Sequence, residues 1–292
     1  MSDAAVIASP GVRSPLREFW RRLRRRKVAL GSAGVLLVLV LSAVFAPWVA
    51  PYDPTAADYL NVLSPPSAAH WAGTDAFGRD ILSRIIWGGR ISLAVGFLSV
   101  SIGGIVGIAL GLIAGFYGRW LDSLIMRSSD VLLAFPGILL AIGVIAILGP
   151  GIDNVIYAVA VFSVPVFARL VRGSTLALKS APYVDAARAI GVKNRWLMLR
   201  HILPGTLPSV IVYFSMRVGT SILTAAALSF IGLGAQPPSP EWGAMLADGR
   251  SFIGVASHVT FYPGMAIFVT VLAFNLLGDG LRDALDPKLK NV

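Results

Sequence analysis

The sequence predicts an all-α polytopic membrane protein with six transmembrane helices. Three observations carry that prediction. Hydrophobic residues make up 56% of the 292 positions before the 30 glycines are counted, only 14% of positions are charged, and the mean hydropathy is +0.75. A soluble domain carries about 25% charged residues, so this chain has too little charge to hold its surface in water, and its solvent must be largely lipid. Disordered, collagen-like and ordinary soluble globular classes are excluded on the same ground. Zero cysteines exclude a disulfide scaffold, thiolate metal sites, an iron-sulfur cluster and a cysteine nucleophile.

Crossing about 30 Å of hydrocarbon takes about 20 largely apolar residues in a helix. Six stretches qualify: Val28 to Ala46, Ile91 to Tyr117, Val131 to Gly149, Pro150 to Ala168, Pro208 to Gly232 and Val259 to Leu277. Asp153 and Pro165 interrupt the fourth, and Arg217 lies in the fifth. The chain divides into a basic arm (1–27), a first transmembrane segment (28–50), an external segment (51–90), a five-helix core (91–278) and a tail (279–292). The first span has the outline of a signal peptide, with Val44-Phe45-Ala46 resembling a cleavage site. Its apolar core is longer than a usual h-region, and its removal would leave five spans.

Orientation follows from the excess of Lys and Arg on cytoplasmic loops. The arm alone holds Arg13, Arg17, Arg21, Arg22, Arg24, Arg25, Arg26 and Lys27. Placing it inside, with six crossings, puts 20 cations on the cytoplasmic side, including Arg119, Arg127, seven from Arg169 to Arg200, and Arg282, Lys288 and Lys290. Only Arg79, Arg84, Arg90 and Arg250 fall outside. Both termini are therefore expected in the cytoplasm.

In the second span, Gly103, Gly104, Gly107, Gly111 and Gly115 mark a face where helix backbones approach closely, read chiefly as packing within the chain and alternatively as a seam against a partner. Arg217 lies about 14 Å along its helix from Pro208, near the midplane. A guanidinium there is costly and must face protein or water. It is a candidate pathway or gate residue, or else it snorkels or pairs with Asp130 or Asp153. Outside, His70-Trp71-Ala72-Gly73-Thr74-Asp75 and Gly78-Arg79-Asp80 read as a hydrogen-bonded turn rather than a cation site. The stretch Ile81 to Trp87 reads as an amphipathic piece on the membrane surface. Pro237, Pro238 and Pro240 stiffen a second outer loop, Gly234 to His258, and keep it out of a helix.

The segment 169–207 is too long for a turn and too short for a domain. Pro182 suits the first turn of a helix running through Asp185, Ala186, Ala187 and Arg188, and Gly191 stops it. Asn194 caps a second helix that ends at Leu203-Pro204-Gly205. Such an elbow on a rigid bundle is a knob for the groove of a soluble partner.

Asp185-Ala186-Ala187, Gly191 and Leu203-Pro204 resemble the cytoplasmic EAA motif of ABC importer permeases, with Asp replacing the usual Glu. The run His70 to Asp80 and Gly278-Asp279-Gly280-Leu281-Arg282-Asp283-Ala284-Leu285-Asp286-Pro287 are similar to the peptide/opine/nickel group of these permeases, a likeness spanning Phe19 to Lys290. Ala134 to Leu140, Phe167 to Gly173 and Arg200 to Thr206 look most like permeases of glutathione and dipeptide importers.

The resemblance implies a bacterial inner-membrane subunit that moves glutathione or di- or oligopeptides inward. It implies a heterodimer with a second homologous permease, two cytosolic ATP-binding subunits and an external solute-binding protein. Asp185, Ala186, Ala187, Arg188, Gly191, Leu203 and Pro204 would couple to the ATPase. No catalytic residue, metal site, cofactor or nucleic-acid contact is expected on this chain; ATP and magnesium belong to the partner subunits. Gly173 to Ser180 ends in Lys-Ser but carries Leu178 where a phosphate-binding loop needs its second glycine. No GxSxG, HExxH or paired CxxC occurs. The alternatives are a nickel permease, an ion-gradient transporter, which would need an inverted pair of broken helices and midplane acids, and a membrane enzyme.

Overall fold

A computed structural model describes residues 15–285. Arg13, Lys288, Lys290 and the Asp286-Pro287 end of the closing motif lie outside the described residues. The order is α1 (Pro15–Arg25), α2 (Lys27–Val44), α3 (Ala46–Val49), α4 (Ile81–Tyr117), α5 (Arg119–Ala134), α6 (Gly137–Leu148), α7 (Ile152–Leu178), α8 (Pro182–Ala189), α9 (Asn194–Trp196), a π-helical turn (Leu197–Ile202), α10 (Leu203–Phe230), α11 (Trp242–Gly249), a 3₁₀ turn (Arg250–Phe252) and α12 (His258–Leu285). Among the described residues the one β feature is an isolated bridge between Thr74 and Asp80.

Five helices are long and apolar enough to span a membrane, and the pair α5 and α6 makes a sixth if it is one bent span. That pair corrects the expectation of a straight third helix. Phe135 is extended because Pro136 disfavours helical geometry in the residue before it, and the axes meet at 95°. The fourth span runs intact through Pro165 to Leu178. Ile81 to Trp87 opens the 37-residue α4 instead of lying on the membrane surface. Asp80 caps it, accepting from the Ser83 N–H at 2.7 Å, and Ile81, Ser83 and Arg84 are buried.

The glycine face of α4 closes on α7 of the same chain, which selects intrachain packing. A Cβ on Gly107 would lie 2.5 Å from the Val164 carbonyl oxygen, and one on Gly111 2.5 Å from that of Ala168. Removing side chains brings the backbones together, so dispersion contacts replace the hydrophobic driving force that lipid does not supply.

The expected second elbow helix is continuous with the fifth span, since α9, the π-turn and α10 form one apolar run from Asn194 to Phe230. Lys193, not Asn194, holds the cap position, without a side-chain cap. Pro204 falls at the start of α10, directly after the π-turn and inside that continuous run. The widened π-turn before it accommodates the ring. Both termini of the described chain lie at the α8 end. The Arg26 guanidinium is 3.2 Å from Asp283, Leu23 and Ala29 cluster with Ala284, and the Lys179 ammonium donates to the Gly115 carbonyl at 3.0 Å.

Candidate functional site: the elbow, and the charged far end

The elbow is anchored by two side chains. Val184 and Ala187, three apart on α8, are buried against Leu197 and Ile202 of the π-turn, and the Tyr183 hydroxyl donates to the His201 carbonyl at 3.2 Å. Pro182 takes the first turn as expected. The helix stops in a Schellman arrangement: Val192 N–H donates to Ala187 O at 3.1 Å and Gly191 N–H to Arg188 O at 3.0 Å. Gly191 has φ +84°, a conformation that costs an L-residue about 1–2 kcal/mol. The space around it is open.

Of the residues singled out in the sequence, Asp185, Ala186, Arg188 and Gly191 face outward. Asp185 and Arg188 pair at 2.6 Å with both side chains at least half exposed. Ala187 and Leu203 face inward, Leu203 packing on the core that also holds Val184. Pro204 is exposed at the start of α10.

Sequence reasoning passed over the surface that surrounds them. Tyr183, Ile190, Trp196 and Leu199 are exposed, Ile190 at 82%, and the guanidiniums of Arg195 and Arg200 lie 5.7 and 5.2 Å from the Trp196 ring centre. An apolar tip rimmed by cations suits a docking knob. The signal was available in Lys193-Asn194-Arg195-Trp196, an aromatic among cations in a polar stretch. Gly173 to Leu178 lies inside α7, so those residues form no loop that could cradle a phosphate, and only Lys179 and Ser180 lie in the turn that follows.

Arg217 sits mid-way along α10 with no carboxylate partner among the described residues. Its guanidinium is 4.8 Å from the Phe162 ring centre, and its Nε donates to the Ser163 hydroxyl at 3.3 Å. The pairing expected with Asp130 or Asp153 does not form. Asp130 instead pairs with Arg169 of α7 at 2.5 Å.

The opposite end buries Asp75, Arg79, Asp80, Arg84 and Glu241, while Asp53, Asp58, Arg90 and Arg250 there are exposed. Asp75 accepts from the Arg79 Nε at 2.7 Å and from the backbone N–H of Phe77 and Arg79, with the Arg84 Nε 3.4 Å away. Arg84, 1% exposed, also donates to the Pro54 carbonyl at 3.0 Å. Asp80 is engaged by His70 at 3.0 Å and by Ser83. Both acids thus serve the hydrogen-bonded turn, and no cluster of three metal-ligating side chains occurs among the described residues.

Asp248 lies 3.8 Å from Arg79, and both line a cavity of about 260 Å³. Burial pushes its carboxyl above the usual range, opposed by the two arginines. The second outer loop is not purely extended. Glu241 caps α11 by accepting from the Ala244 N–H at 2.8 Å and takes a bond from the Ser92 hydroxyl, while Trp242 is buried and its indole donates to Ile85 O at 2.9 Å. The prolines stiffen only the approach to this helix, which the reading of the loop missed.

A family model described as binding-protein-dependent transport system inner membrane component matches residues 107–291. A second, described as the N-terminal TM domain of oligopeptide transport permease C, matches residues 14–66. The chain is 57% identical over 292 residues to the glutathione transport system permease protein GsiD of Pectobacterium atrosepticum, covering 100% of this chain and 97% of that protein. It is 59% identical over 290 residues to the protein of the same name from Escherichia coli strain 536, covering 99% and 96%. An inward-facing structure of the MetNI methionine ABC transporter superposes with a TM-score of 0.56 at 21% identity, over 70% of this chain and 98% of that one. A structure of an amino acid ABC transporter gives 0.53 at 17%, over 69% and 94%. These structures share the fold.

Proposed function

The chain belongs to the family of binding-protein-dependent transport system inner membrane components, as a multi-pass permease of the bacterial inner membrane, and from that premise we propose that it carries glutathione or short peptides into the cytoplasm. The observation that carries the substrate class is the 57 to 59% identity, over essentially the full chain, to permeases named for glutathione transport.

In this reading the α8 end is cytoplasmic, as the concentration of Lys and Arg there requires. The permease pairs with a second, related permease, two ATP-binding subunits that hold ATP and magnesium, and an external solute-binding protein. Asp185, Ala186, Arg188 and Gly191, with the apolar tip around Ile190, fit a groove of the ATP-binding subunit, while Val184, Ala187 and Leu203 transmit its movement to α10. ATP-driven closure moves the elbow as a rigid body, and the bundle exchanges between inward-open and outward-open packings. Arg217, a cation of α10 with no carboxylate partner among the described residues, is a pathway residue that attracts the substrate's carboxylates.

The test is uptake of labelled glutathione by the reconstituted complex, competed separately by dipeptides and by nickel. Competition by dipeptides and dependence on ATP are expected. Uptake inhibited by nickel alone overturns the substrate class, and accumulation by the single chain without nucleotide overturns the coupling. Arg217→Ala is expected to lower uptake while assembly is kept; equal loss of both removes it from the pathway.

A further inference from the structure

The helix α1 was accounted for only as a topology signal, which needs charge but no structure. Its observed structure is specific. One edge, Phe19 and Leu23, packs on Ala29 of α2 and on Leu281 and Ala284 of α12, with Leu23 7% exposed. Arg26 breaks the helix with φ −92° and ψ +83°, and the next residue, Lys27, begins a membrane span. The C-terminal end of α1 is therefore one residue from the start of the first candidate span, and the helix folds back against the end of the bundle.

Its remaining faces are cationic. Arg21, Arg24, Arg25 and Lys27 are exposed, and the Arg24 guanidinium lies 5.2 Å from the ring centre of Trp20, itself 47% exposed. Between arm and bundle lies a cavity of about 450 Å³ walled by Arg25, Arg26 and Lys27 on one side and Asp279 and Asp283 on the other. Arg26 neutralises Asp283. The cavity and the exposed rim together carry more positive than negative charge.

We infer that α1 and this cavity form a binding site for the phosphate of an anionic phospholipid headgroup. Three requirements of such a site meet here: an amphipathic helix pinned at the interface, an aromatic at headgroup level, and a cation cluster directly beside a span. An acidic protein surface would need these cations to point away from the membrane, whereas Lys27 and Arg26 flank the first turn of α2. The inference is independent of which solute is carried.

Native mass spectrometry of the full-length chain in mild detergent, titrated with phosphatidylglycerol and with phosphatidylethanolamine, tests it. The wild-type chain is expected to retain phosphatidylglycerol preferentially. The double variant R24Q/R25Q leaves Arg21, Arg22, Arg26 and Lys27 to hold topology. It is expected to weaken that binding roughly thirtyfold, at about fivefold per cation. R24K/R25K is expected to retain most of it. Four results overturn the inference: equal retention of both lipids, preference for phosphatidylethanolamine through Asp279, displacement of the lipid by inorganic phosphate alone, or loss of an ATP-binding subunit from R24Q/R25Q complexes with lipid retention unchanged.

Discussion

The two ends of the bundle handle charge in opposite ways. At the α11 end, Asp75, Asp80, Arg79, Arg84 and Glu241 are buried and bonded to each other or to backbone. At the α8 end, Asp185, Arg188, Lys193, Arg195 and Arg200 are exposed. A buried, mutually satisfied network fixes geometry, because removing one member strands another. An exposed rim around an apolar tip contributes little to stability and leaves its chemistry for a partner. The α11 end is held by its own contacts, whereas the α8 end leaves exposed the residues through which, in the proposed function, an ATP-binding subunit grips the chain.

That contrast can be broken most directly at Arg84. Arg84→Met removes a guanidinium shared by Asp75 and the Pro54 carbonyl, and is expected to cost about 3–5 kcal/mol, read as a lower thermal unfolding temperature of the purified chain. An unchanged transition would mean that the network does not hold this end together. Next is Gly243→Val. A side chain there overlaps the Ala226 carbonyl of α10, and about 1–3 kcal/mol is expected, with loosening of the Trp242 anchor seen as increased indole exposure.

The elbow should respond differently. Gly191→Ala is expected to cost about 1–2 kcal/mol from its positive φ alone. Gly191→Glu carries the same strain without steric overlap, so insertion and yield are expected to be normal while uptake and its coupling to ATP hydrolysis are lost. Normal coupled uptake by Gly191→Glu would remove the elbow from the mechanism. The smallest effect belongs to Asp185→Asn, within about 0.5 kcal/mol because its pair with Arg188 is exposed; a loss of ATPase binding in that variant would show that the carboxylate itself is read by the partner.

Much of this was legible from the residues, and the misses have physical causes. Pro182 and Gly191 announced the elbow because each acts through its own backbone, one by fixing φ and one by permitting a positive φ. The break at Phe135-Pro136 went unread because the apolar run continues through it, and hydropathy does not register direction. Helix α11 went unread because three prolines precede it and its stability comes from Trp242 and Glu241 docking on α4, a contact about 150 residues distant in sequence. Arg217 illustrates the same limit: composition required a neighbour for it, and only the packing of α10 on α7 chose Ser163 and Phe162 over the acids.

By itself, then, the sequence determined that this chain lives in lipid, where its spans lie, which faces are small enough for close approach and where the elbow turns. These follow from local rules of hydration, backbone geometry and side-chain size, each exerted within a few residues. The tertiary structure alone decided which cations are paired, how the two ends differ, and that the basic arm folds onto the bundle. Pairing energies depend on distance and burial, and both are set by helices that meet far from one another along the chain.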